Sequence, residues 1–251
     1  MNTLIQSDAV AALGTLTEFI EENGEVQTTV WDPPYNIGFN YDNPNFGDSW
    51  SEDEYYNWLA DIAYRIWERT AEGGSFFFIH YAEQSAKFLN KIQSMFEGRV
   101  WPLHQWLTWV YPSNFGHSKR RFTTASRAVL WFSKGEPFFD PQGVTQPYKN
   151  PNDKRIKALI ESGRTGTTHY DWLPVNLVKN VSSEKRYVNQ IPEALLEILI
   201  LNTTRPDDLV LDPTCGSGST LRVASKYGRR GWGADISPVA AECWDDLKEV
   251  E

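Results

Sequence analysis

Two short segments of this 251-residue chain combine residue types that can do chemistry. The first is Asp32-Pro33-Pro34-Tyr35, which follows the β-rich run Val26–Trp31. Two prolines stop a strand and push the chain into a loop. They also hold a carboxylate and an aromatic ring together, with little entropy left to lose on binding. Such a pair can stack a planar ring on Tyr35 and accept a hydrogen bond from an exocyclic amine with Asp32. Asn36-Ile37-Gly38-Phe39-Asn40-Tyr41 continues as an aromatic, glycine-containing loop suited to closing over that ring. The plainer alternative is a stiff turn with a surface tyrosine. The second segment, Leu209 to Thr220, reads as strand, tight turn, helix. Gly216 and Gly218 remove Cβ atoms where a ligand must approach the backbone, and the following helix aims N–H groups at that ligand. Asp235 closes the next strand 17 residues beyond Gly218, a spacing that suits a carboxylate gripping ribose hydroxyls. A full GxGxxG fingerprint and a phosphate loop are both absent, so the ligand reads as a nucleoside without a phosphate chain.

The remaining pattern supplies the elements that position these turns. Ser51 opens a helix with Glu52, Asp53 and Glu54 in its first turn, and Gly73-Gly74 ends it. Ser75–His80 reads as a buried strand, Glu83–Met95 as a helix, and Leu103–Tyr111 and Ala125–Phe132 as strands joined by a basic loop, 112–124. A weak helix is expected near 152–161. Pro192–Leu201 reads as a helix, Asp208–Leu211 as a strand, then a helix to about Tyr227, a strand over Gly231–Ile236 and a last helix over Pro238–Leu247. Strands alternating with helices at this spacing predict an α/β fold with an open, mostly parallel sheet. In such sheets ligands sit beyond the carboxyl ends of strands at a topological switch point, so both turns can face one crevice.

Composition narrows the class. A chain that is 41% hydrophobic and 23% charged builds a core, and no apolar run reaches the roughly 18 residues of a membrane span. The N-terminus has no basic-then-apolar signal, and Cys215 and Cys243 form neither a disulfide framework nor a zinc pair, so a cytoplasmic protein is expected. His80, His104, His117 and His169 are scattered and read as structural, and no metal is expected. The net charge of −9 is uneven: residues 1–97 hold 4 basic and 16 acidic side chains, residues 98–190 hold 14 and 6. Val100 to Gly135 contains no acid, while Lys119, Arg120, Arg121 and Arg127 fall there, a pattern that fits phosphate neutralisation or simply a solvated basic face.

Taken together, these segments resemble the DNA amino-methyltransferases, which transfer a methyl group from S-adenosylmethionine to adenine N6 or cytosine N4. Asp32–Tyr35 is similar to the family's catalytic tetrapeptide, and Asp212–Thr220 to its DPxxGSGTT cofactor motif, with Ser219 for the first Thr and Cys215 where Ala is frequent. Asn189-Gln190-Ile191-Pro192 partly resembles its HPxQKP segment, and Asn2–Ala12, with Asp8, its strand-turn-helix opening. Many relatives carry His-Glu where Ser126-Arg127 stand. Catalytic motif first and cofactor motif last is the order of the circularly permuted β group. The resemblance implies a Rossmann-like, mostly parallel seven-stranded sheet. It divides the chain into a catalytic half (1–134), a target-recognition insertion (135–186) and a cofactor half (187–251).

The resemblance also implies roles. Asp32, Pro33, Pro34 and Tyr35 would be catalytic. Asp8, Asp32, Gln190, Asp212, Thr214, Cys215, Gly216, Ser217, Gly218, Ser219, Thr220 and Asp235 would hold S-adenosylmethionine and its product S-adenosylhomocysteine. Lys119, Arg120, Arg121 and Arg127 would hold DNA phosphates. Asp32 and the Pro33 carbonyl would accept the N–H bonds of the attacking amine, favouring its charged transition state. The base would be flipped out of the duplex onto Tyr35. Cys215 lies in the cofactor turn, which disfavours cytosine C5 chemistry. Adenine N6 is expected first, because Asp at the first motif position is more frequent among adenine enzymes. Cytosine N4, an RNA or protein substrate, and a non-catalytic partner subunit are the alternatives. Double-stranded DNA is the expected partner; a homodimer, a cognate restriction nuclease and a host (nucleoid-associated) or phage origin are left open.

Overall fold

The computed structural model describes residues 2–39, 48–95, 101–111, 119–179, 182, 183, 187 and 189–248, the side chains of 246 and 248 excepted. Asn40 and Tyr41 of the expected closing loop, residues 112–118 of the basic loop and His117 lie outside the described residues.

In chain order the elements are β1 (Asn2–Gln6), α1 (Ala9–Asn23), β2 (Val26–Trp31), α2 (Glu52–Arg69), β3 (Thr70–His80), α3 (Ala82–Met95), β4 (Leu103–Val110) and β5 (Ser126–Ser133). Then follow α4 (Lys154–Glu161), β6 (Trp172–Pro174), α5 (Glu193–Thr203), β7 (Leu209–Asp212), α6 (Ser219–Lys226), β8 (Arg230–Asp235), α7 (Pro238–Ala241), a 3-10 turn (Glu242–Trp244) and α8 (Asp245–Lys248). Local chemistry sets several boundaries. Asp8 caps α1 by accepting from the Val10 and Ala11 N–H groups. Ser51 and Glu54 form a reciprocal capping box on α2.

The strands form one sheet in the order β1-β8-β7-β2-β3-β5-β4-β6. All neighbours are parallel except β5, which runs against both β3 and β4. The chain winds outward from the β7–β2 pair in both directions, which makes that pair the switch point. The sheet has eight strands rather than seven: β6, from the segment expected to be an insertion, pairs with β4 at the edge through Thr108↔Trp172.

Two further boundaries differ from expectation. β3 begins at Thr70 and runs through Gly73-Gly74, where the pairing with β2 shifts register. Gly73 has φ +77, and a Cβ on Gly74 would lie 2.8 Å from the Ala71 carbonyl oxygen, so the glycine pair makes a bulge inside a strand. The last helix is broken by the 3-10 turn, which lets Trp244 Nε1 donate to the Gly216 carbonyl at 2.8 Å.

Both sheet faces are buried, as parallel sheets require. Phe76 and Phe78 point into a core with Leu13, Ile62 and Phe88; Phe77 and Ile79 point into a second core with Leu195, Leu199 and Ile200. The alternation follows from the two-residue period of a strand.

Candidate active site

The switch point sets the two special turns side by side. Trp31 Nε1 donates to Thr214 Oγ1 at 3.1 Å, and Thr214 Oγ1 donates to the Asp32 carbonyl at 3.3 Å. Both turns open onto a cavity of about 610 Å³. Asp8, Asp32 to Tyr35, Gln190, Asp212, Thr214 to Ser217, Ser219, Thr220 and Asp235 all line it. Residues spread from 8 to 235 thus converge because parallel strands end at the same side of the sheet.

On the catalytic turn, Tyr35 Oη donates to Asp32 Oδ1 at 2.6 Å. Burial pushes the Asp32 carboxyl up to about 7, against the Tyr35 hydrogen bond and the Arg127 charge, which lower it. The Tyr35 ring stacks on His80 at 4.2 Å and 21°. His80 is buried, which pushes its imidazole down to about 3 with help from Arg127, so it is neutral. Its Nδ1 accepts from the Tyr81 N–H at 2.8 Å, which puts the proton on Nε2. Nε2 then donates to Tyr55 Oη at 2.9 Å, and Tyr55 Oη donates to the Pro34 carbonyl at 2.7 Å. The structural role expected of His80 is therefore a specific one: it floors Tyr35 and ties down the second proline. The Pro34 carbonyl is spent on Tyr55.

On the cofactor turn, the buried Asp212 accepts from Thr220 Oγ1 at 2.6 Å and from the Thr214 N–H at 3.3 Å. Burial pushes its carboxyl to about 7, against both bonds; Asp32 and Asp235 add to the rise. Asp235 accepts from the Gly216 N–H at 2.9 Å and the Ser237 N–H at 2.8 Å, and burial raises its carboxyl too. Each oxygen keeps a lone pair toward the cavity side. Gly216 has φ +49 and lines the cavity, and a Cβ there would meet only Tyr187 Cδ1, at 3.7 Å. Cys215 is buried, and burial beside Asp212 and Asp235 pushes its thiol well above the ordinary range, so it is no nucleophile.

Two of the expected site residues sit apart from the others in kind. Gly218 does not line the cavity: a Cβ there would meet Leu247 Cδ1 at 2.6 Å, and its φ is +80. Its glycine serves helix packing and the turn, not ligand approach. Arg127 is no surface arm for phosphates. It lies on β5, half-buried in the cavity wall, where its Nε donates to Tyr35 Oη at 3.1 Å and its Nη1 donates to Tyr111 Oη. Lys119, Arg120 and Arg121 are exposed and outside the cavity.

Sequence reasoning missed Asp48. Its Oδ1 accepts from the Asn36 N–H at 2.6 Å, and its Oδ2 from the Ile37 and Phe39 N–H groups at 3.1 and 3.0 Å. One carboxylate thereby fixes the loop after the catalytic turn. Tyr81 and Trp109, also in the cavity wall, were missed as well; both sit among many aromatics that local pattern cannot rank.

Among the described residues, the cavity lining carries four carboxylates, Asp8, Asp32, Asp212 and Asp235, against one basic side chain, Arg127. It is suited to a ligand with positive charge, hydroxyls and a planar ring. Among relatives of known kind, the chain is 29% identical to the type II methyltransferase M.BglII of Bacillus subtilis over 226 residues, covering 85% of this chain and 61% of that protein. It is 26% identical to the DNA adenine methyltransferase YhdJ of Escherichia coli (strain K12) over 245 residues, 94% of this chain and 78% of that one. In fold it is similar to the PvuII cytosine-N4-specific DNA methyltransferase, with a TM-score of 0.69 at 19% identity over 97% of this chain and 86% of that chain. It is likewise similar to M1.HpyAVI in its complex with SAM, with a TM-score of 0.63 at 19% identity over 98% and 100%. The N6/N4 DNA methylase family model matches residues 26–244, from the strand before the catalytic turn to the tryptophan that closes on the cofactor turn. The chain belongs to that family of DNA methylases.

Proposed function

We propose that the protein transfers a methyl group from S-adenosylmethionine to the exocyclic amine of a base flipped out of duplex DNA, with adenine N6 as the acceptor. The observation that carries this reading is the convergence of the Asp32–Tyr35 and Asp212–Thr220 turns on one cavity at the switch point. The residues fit the cofactor. Asp235 offers lone pairs to two ribose hydroxyls, Gly216 leaves backbone open to it, and Asp8, Gln190, Asp212, Thr214, Cys215, Ser217, Ser219 and Thr220 complete the wall. The excess of carboxylates suits a sulfonium. When bound, S-adenosylmethionine supplies an electrophilic methyl group on a leaving group that departs neutral, as S-adenosylhomocysteine.

The chain's own work is at the amine. That nitrogen is a weak nucleophile while its lone pair is conjugated into the ring, and it gains positive charge as it attacks. Asp32 Oδ2 and the Pro33 carbonyl accept its two N–H bonds and so favour the charged form over the flat one. Tyr35, floored by His80, offers its other face to the base. The loop pinned by Asp48 brings Ile37 and Phe39 to the same cavity, where they exclude water. Lys119, Arg120 and Arg121 serve the phosphates. Residues 135–186 serve as the target reader: there Tyr170 and Trp172 are stacked at 5.8 Å and half-exposed, with Lys149 5.2 Å from the Tyr170 ring centre.

YhdJ is a DNA adenine methyltransferase, and Asp32 in first position supports adenine here. Likeness in fold to the PvuII enzyme keeps cytosine N4 as the second reading. Incubation with S-adenosylmethionine and mixed-sequence unmethylated duplex DNA, then nuclease digestion and mass spectrometry, tests both. N6-methylated deoxyadenosine is expected. N4-methylated deoxycytidine would transfer the reading to the second base. Neither, with cofactor binding confirmed by calorimetry, would overturn it.

A further inference from the structure

Arg127 is the one basic side chain among the described residues that line the cavity, and the hydrogen bonds around it have a fixed direction. A guanidinium has donors only. The Tyr35 oxygen therefore accepts from Arg127 Nε at 3.1 Å, and its single proton goes to Asp32 Oδ1 at 2.6 Å. Nη1 spends a donor on Tyr111 Oη. The guanidinium carbon lies 4.1 Å from the Tyr81 ring centre and 5.2 Å from those of Tyr35 and Tyr111. Three tyrosines thus hold the cation partly out of water, where its field is least screened.

Asp32 needs that field. It is partly buried in the cavity wall, and Asp212 stands at the end of the neighbouring strand as a second, buried acid. Two carboxylates in one cavity wall disfavour each other's ionised form, and a nearby cation offsets that. Were Asp32 protonated, one of its oxygens would become a donor and would repel the N–H of an attacking amine. The groups that act on it are Tyr35 from its own turn, Arg127 from β5 and Asp212 from β7. Tyr81 and Tyr111 act through Arg127, and His80 is neutral.

We propose that Arg127 is the positioning residue of the catalytic turn: through the Tyr35 hydroxyl it orients Asp32 and keeps it an anionic acceptor for the amine. This rests on the methyl-transfer reading above.

The test uses the whole protein and two readouts. The first is a 13C NMR titration of the Asp32 side-chain carboxyl without substrate, assigned by its loss in Asp32→Asn. The second is the pH profile of kcat/KM for DNA methylation. In Arg127→Met the Asp32 midpoint is expected to rise by roughly one pH unit or more, which is a tenfold loss of ionised Asp32 per unit below it. The acid limb of kcat/KM should move up by the same amount, with activity recovering as the pH is raised above it. Arg127→Lys should restore part of both shifts. Tyr35→Phe, which breaks the link without removing the charge, should raise the midpoint too. Should Arg127→Met fail to fold, Arg127→Lys carries the same test with a smaller shift, whereas Tyr35→Phe reports the direct bond to Asp32. An Asp32 midpoint unmoved in the Arg127 variants, with activity lost evenly at every pH, would overturn the proposal. A midpoint that moves as expected in a protein that methylates no nucleic acid would support the ion arrangement and overturn the methyl-transfer reading instead.

Discussion

Replacing Asp32 by Asn should stabilise the protein while abolishing its activity, and the size of the effect should depend on pH. Burial lifts the Asp32 carboxyl from 3.8 to about 7 in the folded chain. Unfolded, the group titrates at its ordinary value. Below both values, each state carries the proton and nothing depends on it. Between them the unfolded chain gives up its proton while the folded chain keeps it, so stability is lost as pH rises through this window. Above about 7 both are ionised and the loss is complete. A rise of about three units at about 1.4 kcal/mol each amounts to about 4 kcal/mol. Asn keeps the shape and an acceptor oxygen for Tyr35 Oη, and it stands in for the neutral acid that the folded chain carries at low pH. The variant should therefore be close to the parent in stability near pH 4 and about 4 kcal/mol more stable above pH 8. Urea unfolding of both proteins across that range measures the difference directly. A difference that stays flat with pH would refute the reasoning, because it would mean that folding does not resist the charge on Asp32.

Other outcomes follow from the same geometry. Asp235→Ala removes the acceptor of the Gly216 and Ser237 N–H groups and the proposed ribose contact, and should weaken S-adenosylmethionine binding about 10- to 100-fold by calorimetry. Gly218→Ala places a Cβ at φ +80 and 2.6 Å from Leu247 Cδ1; it should cost about 2 kcal/mol and lower the melting temperature, with little direct effect on the cavity. Asp48→Ala leaves three N–H groups without their acceptor and should lower stability by about 2 kcal/mol, with faster amide exchange at Ile37 and Phe39. Replacing Lys119, Arg120 and Arg121 together by Ala should reduce the slope of log K for duplex DNA against log salt by about three, with the same loss on every sequence.

The parts that were legible in the sequence are those whose chemistry is local. Val26–Trp31 ends where Asp32-Pro33-Pro34 must end it, and the observed strand has those bounds. The glycine turn, Asp8 before α1 and the Ser51 cap are likewise written in neighbouring residues. What needed the tertiary structure is what the sheet order decides. Arg127 reads as one more charge in a basic stretch until β5 is placed between β3 and β4, with Arg127 opposite Trp109. Asp48 lies 9 to 12 residues from the amides it holds, across a segment with no periodicity. The Gly73-Gly74 pair looks like a helix stop because a bulge within a strand leaves the same mark. Trp172–Pro174 is only three residues long, too short to announce itself before β4 gives it a partner.

The pairing of β1 with β8, from Asn2↔Gly231 to Gln6↔Asp235, has a consequence for the order in which the protein can assemble as it is made. β1 is among the last strands to find its neighbour, because β8 is synthesised more than two hundred residues later. The catalytic turn, with β2 and β3 close together in sequence, can take shape early. The wall that faces it cannot, since Asp8 and Asp235 come together only when β1 pairs with β8. A nascent chain thus carries Asp32 and Tyr35 for most of its synthesis with no cofactor wall opposite them. Such long-range closure is slow to form, and β1 must wait meanwhile with its edge open.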